Sequence, residues 1–460
     1  MNAELVNKVE IPRIMIAGTG SGCGKTTISC AILKALKNNG LQVAAFKCGP
    51  DYIDPMFHAH ILGRPSTNLD SFFFPENTLK ALAAKNSAGT EISVIEGVMG
   101  FYDGLGFDTE KSSSYDISRI TQTPVILVLN AKGSARSLLA EIQGFLSFCP
   151  ENLICGVILN RCSPMTYPKL AQMIREYFAD TVTPCGFLPE MPDCSLESRH
   201  LGLITAQEMK DLNRKLELLA AQAEKTIDLG KIVRICKKAA ELCFEPLSIP
   251  LFTERIRIAA AQDKAFCFYY HDNLDLLQEM GAEIIPFSPL NDRKLPEDIH
   301  GLYLCGGYPE LYAGELSENS GMRSAVREAL FHDLPYIAEC GGFMYLTQSI
   351  GDKPMVGFLP GKCYNTGKLT RFGYINLKAK RDNMLCGKGE EIPAHEFHYW
   401  DCEKTGTDFT AEKLSGRQWD CVFASDNLYA GFPHFHFYAN PKFAVNFYKA
   451  CLQYKEKQHA

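Results

Sequence analysis

Residues 18–27 read GTGSGCGKTT and follow directly on the apolar run IPRIMIA at 11–17. An apolar strand that empties into a glycine-rich turn ending in Gly-Lys-Thr, with a helical pattern behind it, is predicted to be a phosphate-binding loop. Glycines let backbone N–H groups close round phosphate oxygens, and the helix that follows adds the positive end of its dipole. In this reading Gly20, Gly22 and Gly24 shape the cradle. Lys25 reaches the terminal phosphates, Thr26 holds Mg²⁺ through its hydroxyl, and Thr27 stands beside it at the phosphates. The usual loop has four residues between its first glycine and Gly-Lys. Here Gly18 and Gly24 enclose five, and Thr19 stands at the ordinary first-glycine position.

Outward from the loop, short β-branched runs alternate with helical patterns, the signature of a parallel sheet covered by helices. Strands are predicted at 9–17, 42–46, 92–95, 124–129, 154–159 and 183–188, and helices at 27–38, 134–145, 167–178 and, as one long run, 206–242. Helical periodicity stops in FEPLSIPLFTER (244–255), where two prolines intervene, and a fresh α/β series begins at 257. That series predicts strands at 257–261, 283–287, 301–305 and 335–338, helices at 273–280 and 322–332, and a loop- and strand-rich remainder over 361–420. The expectation is two doubly wound α/β domains, 1–250 and 251–460. The 460 residues suffice for two or three domains with sizeable cores.

Composition is that of a globular protein, 46% hydrophobic and 22% charged, and the net charge of −6 argues against a nucleic-acid-binding surface. No apolar run approaches the roughly 20 residues of a membrane span, and the N-terminal residues lack a signal-peptide pattern. Eighteen cysteines include no Cys-x-x-Cys pair, the nearest two being Cys149 and Cys155, and most lie in apolar runs. They read as free thiols of a cytoplasmic protein.

Acidic residues cluster just past the predicted strand ends, where open α/β sheets bind ligands. FKCGPDYIDPMF (46–57) carries Asp51 and Asp54, and EGVMGFYDG (96–104) carries Glu96 and Asp103. A phosphate loop needs at least one such carboxylate to hold Mg²⁺, and Glu96, directly after ISVI, is the first candidate. Asp51, Asp54 and Asp103 would bind further Mg²⁺ or orient a substrate. Lys47 reads equally as a phosphate partner or as a surface base.

A second constellation stands at PYIAECGGFMY (335–345), a strand running into a sharp glycine turn that carries Cys340 and then a helix. This is the pattern of a nucleophile elbow, and the helix N-terminus is expected to lower the thiol pKa. YLCGGYPE (303–310) offers a second glycine turn, so N–H groups at Gly307 and Gly341 would form an oxyanion hole. FPHFHFYANP (432–441) supplies His434 and His436, the first as general base. His395 and His398 in HEFH lack the His-Glu-x-x-His spacing of zinc proteases and read as lining or structural residues.

Along nearly its whole length the chain resembles the cobyrinic acid a,c-diamide synthase family. The resemblance runs through GTGSGCGKTT, FKCGPDYIDP, GRPSTNLDSFF, EGVMGFYDG, GVILNR, ESRHLGL, AFCFYYHDNLDLL, GLYLCGGYPELYA, AECGGFMYL, LTRFGY, HEFHYW and PHFHFYANP. It implies a P-loop, dethiobiotin-synthetase-like ATP domain followed by a class I glutamine amidotransferase domain. It also implies ATP, L-glutamine and a cobyrinic-acid-type tetrapyrrole as substrates, with Mg²⁺ as cofactor and no nucleic acid or membrane partner. In such enzymes ATP phosphorylates a carboxylate and ammonia from glutamine attacks the acyl phosphate. The family's metal- and substrate-handling acids fall on Asp51, Asp54, Glu96 and Asp103, with the metal assigned to Thr26, Glu96 and Asp51. Its nucleophile falls on Cys340 and its base on His434. Two positions depart from ordinary triad glutaminases: Ala338 replaces a glycine two before the nucleophile, and His436 replaces a glutamate two after the base. The alternatives are the same chemistry on hydrogenobyrinic acid or nickel-sirohydrochlorin, amidation of other side chains as in cobyric acid synthase, and a regulatory P-loop ATPase.

Overall fold

The computed structural model describes residues 6–149, 151–179, 181–194, 198–199, 202–203 and 211–458. The chain divides into two units, Met1–Leu247 and Ser248–Ala460, each with its own parallel sheet.

The first unit is built on seven parallel strands: β1 (Arg13–Gly18), β2 (Val43–Cys48), β3 (Thr67–Leu69), β4 (Ile92–Glu96), β5 (Val125–Asn130), β6 (Ile154–Asn160) and β7 (Thr183–Leu188). Their order in the sheet is β3-β2-β4-β1-β5-β6-β7. Helices α1 (Lys25–Asn38), α2 (Ile53–Leu62), α3 (Ser137–Phe148), α4 (Tyr167–Phe178), α5 (Leu212–Thr226) and α6 (Leu229–Cys236) belong to the same unit. Strands covered on both faces read as unbroken apolar runs, and every residue of β1 and β2 is buried. The chain leaves β1 toward β2 and β3 on one side and later returns to β5 on the other. The loop after β1 therefore sits where the strand order reverses, at the carboxyl ends.

Two expectations change here. The strand foreseen over 9–17 is split at Pro12. Asn7–Val9 pairs instead with Leu242–Phe244 in a separate ribbon, and β1 begins at Arg13. The long helix over 206–242 is two helices, and residues 206–210 of that stretch lie outside the described residues. Ile227 is extended and bridges Gly186, and the Asp228 side chain accepts from Lys231 N at 2.8 Å to start α6 afresh. Of ESRHLGL, only Ser198–Arg199 and Gly202–Leu203 are described, as a short antiparallel pair.

The second unit holds a six-stranded sheet of β8 (Ile256–Ala261), β9 (Ala282–Phe287), β10 (Gly301–Leu304), β11 (Tyr336–Glu339), β16 (Phe423–Ala424) and β17 (Leu428–Gly431), ordered β9-β8-β10-β11-β17-β16 and parallel except for β16. The remainder over 361–420 contributes most of a five-stranded antiparallel sheet. Its members are β12 (Arg371–Ala379), β13 (Glu391–His398), β14 (Phe409–Glu412), β15 (Gln418–Cys421) and β18 (His434–Phe435), in the order β15-β14-β12-β13-β18. Helices α7 (His271–Met280), α8 (Ser320–Phe331), α9 (Gly341–Leu346) and α10 (Pro441–Gln458) complete it. The core joins β8, β10 and β11 to α8 and α9 through residues such as Leu304, Met322, Tyr336 and Phe343. Among the described residues of both units, no helix is long and apolar enough to cross a membrane.

Candidate active sites

The phosphate loop closes as its glycines demand. Gly22 (φ 76°) and Gly24 (φ 102°) are left-handed, a region that penalises side chains. A Cβ at Gly24 would also lie 1.9 Å from Asn160 Nδ2. Asn160, last residue of β6, donates to Cys23 O at 2.8 Å and so braces the loop from the end of a strand two places away in the sheet. Around Gly20 and Gly22 nothing lies within 4 Å of where a Cβ would be, which leaves their side of the loop open. Lys25 begins α1 and donates to the carbonyls of Gly20, at 3.0 Å, and Met99. Burial lowers its pKa. Thr27 follows in the first turn, half-buried.

Thr26 donates to Glu96 Oε1 at 2.6 Å and lies 3.4 Å from Asp54 Oδ2. Lys47 and Glu96 face each other in register across β2 and β4, and Lys47 Nζ sits 3.1 Å from Glu96 Oε1 and 2.5 Å from Asp54 Oδ2. His58, one turn beyond Asp54 on α2, reaches Glu96 Oε2 at 2.8 Å while its Nδ1 meets Ser66 Oγ. Burial alone would lower Lys47 and raise Glu96. The Asp54 and Glu96 charges reverse the first and hold the ammonium well above its ordinary value, while Lys47, with His58 and Thr26, reverses the second and holds Glu96 well below its own. Asp54, pushed by burial and by the Glu96 charge, moves up.

Of the four acids, the structure gathers Asp54 and Glu96 round Thr26 and Lys47. Asp51 stands at the edge, 4.0 Å from Lys47, and its carboxylate accepts from Ile53 N and Asp54 N at the start of α2. Asp103 accepts from Gly100 N within its own loop. A hydroxyl and a carboxylate oxygen converging beside the phosphate loop are hard donors that suit Mg²⁺, which takes few protein ligands. The Lys47 ammonium fills the space between Asp54 and Glu96 that a second cation would need. Sequence reading missed His58 and Asn160. The signal for His58 was its spacing from Asp54, four residues along a helix and therefore on the same face.

The second site is an elbow. Cys340 is left-handed (φ 47°) between β11 and α9, and its N–H donates to Gly431 O at 2.7 Å. A Cβ at Gly342 would lie 2.3 Å from Leu304 O, and one at Gly307 (φ 153°) 2.1 Å from Ala265 O, so both turns need glycine for close backbone approach. The two turns meet, because a Cβ on Gly341 would be 3.2 Å from Gly307 N. One on Gly306 would fall 2.5 Å from His434 Cε1, 3.2 Å from His434 Nε2 and 3.5 Å from Cys340 Cβ, which brings the imidazole and the cysteine together beside Gly306.

The thiol does not behave as the helix N-terminus suggested. Burial and the nearby Glu310 carboxylate push Cys340 well up, against the hydrogen bond from Gly341 N–H. Burial leads that rise, and the charges of Glu396 and Glu339 add to that of Glu310. Glu310 is itself pushed up to about 7 by burial. His434 Nδ1 lies 3.3 Å from Glu339 Oε2. His395 stacks on His434 at 5.2 Å, with its Nδ1 3.2 Å from the Tyr270 hydroxyl. His436 faces Tyr270 and lies 3.8 Å from Asp272. His398 stacks on Phe432 at 4.0 Å.

Two family models match the chain. Residues 14–204 match the CobQ/CobB/MinD/ParA nucleotide binding domain, and residues 257–442 match the CobB/CobQ-like glutamine amidotransferase domain. The cobyrinate a,c-diamide synthase of Listeria monocytogenes serotype 4b (strain F2365) is 41% identical over 442 residues, 93% of this chain and 97% of that protein. Those of Caldanaerobacter subterraneus subsp. tengcongensis and Clostridium acetobutylicum are each 39% identical, over 96% and 94% of this chain and 99% and 98% of theirs. With an elbow cysteine and a phosphate loop each falling inside its own matched domain, and the likeness running almost end to end, the chain belongs to the cobyrinate a,c-diamide synthase family.

Proposed function

We propose that this enzyme amidates the a and c side-chain carboxylates of cobyrinic acid, using ATP to activate each carboxylate as an acyl phosphate and glutamine as the source of ammonia. The observation that carries the reading is the presence in one chain of Lys25 and Thr26 in a phosphate loop and of Cys340 and His434 at an elbow.

In the second unit Cys340 Sγ attacks the glutamine amide carbon as His434 takes its proton and passes it to the departing ammonia. N–H groups at Gly307 and Gly341 face the oxyanion. In the first unit Lys25 and the loop N–H groups bind the phosphates, and Lys47, fixed between Asp54 and Glu96, directs its positive charge at the acids that line the site. Thr26 and Glu96 would hold Mg²⁺, which when bound takes up charge on the phosphate oxygens. Asp51 and Asp103 shape the loops in which they stand. Eighteen free cysteines suit a reducing compartment, and we place the enzyme in the cytoplasm.

Cys340→Ala is expected to abolish glutamine-dependent amidation while turnover with high ammonia continues; persistence of both rejects the nucleophile. Lys25→Ala is expected to stop both. Carboxylate labelled with ¹⁸O should deliver one labelled oxygen to inorganic phosphate per amide formed, and unlabelled phosphate rejects the acyl phosphate. Turnover with cobyrinic acid, hydrogenobyrinic acid and nickel-sirohydrochlorin side by side, with products identified by mass, separates the three macrocycles.

A further inference from the structure

A base that must take and return a proton needs its ring held in one tautomer, and glutaminases of the ordinary triad type do this with a glutamate two residues after the histidine. That position is His436 here, and its ring faces Tyr270 and Asp272 instead. His395, stacked on His434, is buried and held neutral by burial and by its neighbour, and an imidazole has no negative charge to offer a protonated ring. One carboxylate does meet the ring. Glu339 ends β11 immediately before the nucleophile, and its Oε2 lies 3.3 Å from His434 Nδ1. Both side chains are buried, at 2% and 3% exposure, and the opposite edge of the imidazole, Cε1 and Nε2, borders Gly306 beside Cys340. Backbone pairing fixes this arrangement. β11 and β17 place Glu339 opposite Gly431, the last residue of β17, and His434 follows three residues later at the start of β18, so the base stands just past the end of the strand that pairs with the one carrying the acid.

We propose that Glu339 is the third member of the glutaminase machinery, a positioning residue that keeps the proton of neutral His434 on Nδ1 and stabilises the imidazolium formed during attack. The inference rests on the Cys340–His434 reading above. In the step it serves, the S–H bond of Cys340 breaks and its proton goes to His434 Nε2. The S–C bond to the glutamine carbonyl carbon forms, and the C–N bond then breaks as Nε2 returns the proton to the leaving nitrogen. Glu339 neither bonds to substrate nor gains the proton; its charge balances the ring while the proton is there. The nucleophile and the acid that serves its base thus sit side by side in sequence, not one before and one after the histidine.

The test is glutamine hydrolysis by the full chain. Glu339→Gln is expected to lower kcat by about 10²- to 10⁴-fold, with KM for glutamine within about threefold of the parent. In a His434→Ala background, where no ring remains to be held, the same change should cost less than about threefold further. A kcat within threefold of the parent, or losses that multiply in the double variant, overturns the role. If Glu339→Gln does not fold by near-UV circular dichroism, the cycle is run with Glu339→Asp. A loss that disappears with His434 removed then supports the role, and an equal loss in both backgrounds overturns it. Undiminished hydrolysis by Cys340→Ala would instead overturn the glutaminase reading itself.

Discussion

Cys340 combines a left-handed backbone with a thiol that its surroundings keep protonated. The strain aims the side chain, and burial together with the nearby acids denies it a resting negative charge, so reactivity depends on His434 removing the proton during attack. Alkylation of the free enzyme by iodoacetamide should therefore be slow at pH 7 and keep rising up to pH 10, because the thiolate becomes populated only as pH approaches a raised pKa. Glu310 contributes to that rise through its own charge. Glu310→Gln is expected to lower the thiol pKa and speed alkylation at pH 8 by about 3- to 10-fold; an unchanged rate would place the cause in burial alone. In the other unit, Lys47→Met leaves Glu96 and Asp54 buried without their cation. It should destabilise the first unit by about 3–5 kcal/mol, read as a lower urea midpoint. A midpoint within error of the parent would mean that His58 alone can balance Glu96.

At the scale of elements, the two glycine turns are the most constrained joints. Gly342→Ala drives a Cβ into the Leu304 carbonyl, and a loss of more than about 2 kcal/mol in the melt of the second unit is expected, together with loss of glutaminase activity. Gly20→Ala, with nothing within 4 Å of the new carbon, should leave stability within about 0.5 kcal/mol. Both turns were legible in the sequence because each sits between an apolar strand and a helix, where glycine has few other reasons to recur. The parallel strands were legible for the same cause, burial on both faces. The break at Ile227–Asp228 was written in the chain as a β-branched pair followed by a capping aspartate, but the apolar periodicity on either side hid it. The antiparallel β12–β15 sheet left only a weak pattern, since β13 is buried along both its faces in part and carries Glu396 and His398 inward. Lys47 and Glu339 could not be assigned from sequence at all. A lysine joins Glu96 49 residues away only once parallel strands bring them side by side, and a glutamate joins His434 95 residues away only because β17, whose end His434 follows, pairs with β11.

For the whole molecule, residues 245–255 connect the units without helix or strand and mostly exposed. Limited digestion with a glutamate-specific protease is expected to cut first at Glu245 or Glu254 and leave two resistant fragments; early cleavage inside either sheet would contradict two separately packed units. Each unit carries one half of a composite reaction, and the charge arrangement suits that division. Lys47 and His58 let the synthetase site satisfy its own acids. Glu96 is already held by Thr26, Lys47 and His58, so a Mg²⁺ arriving at Thr26 and Glu96 would exchange partners inside a site whose acids are balanced beforehand.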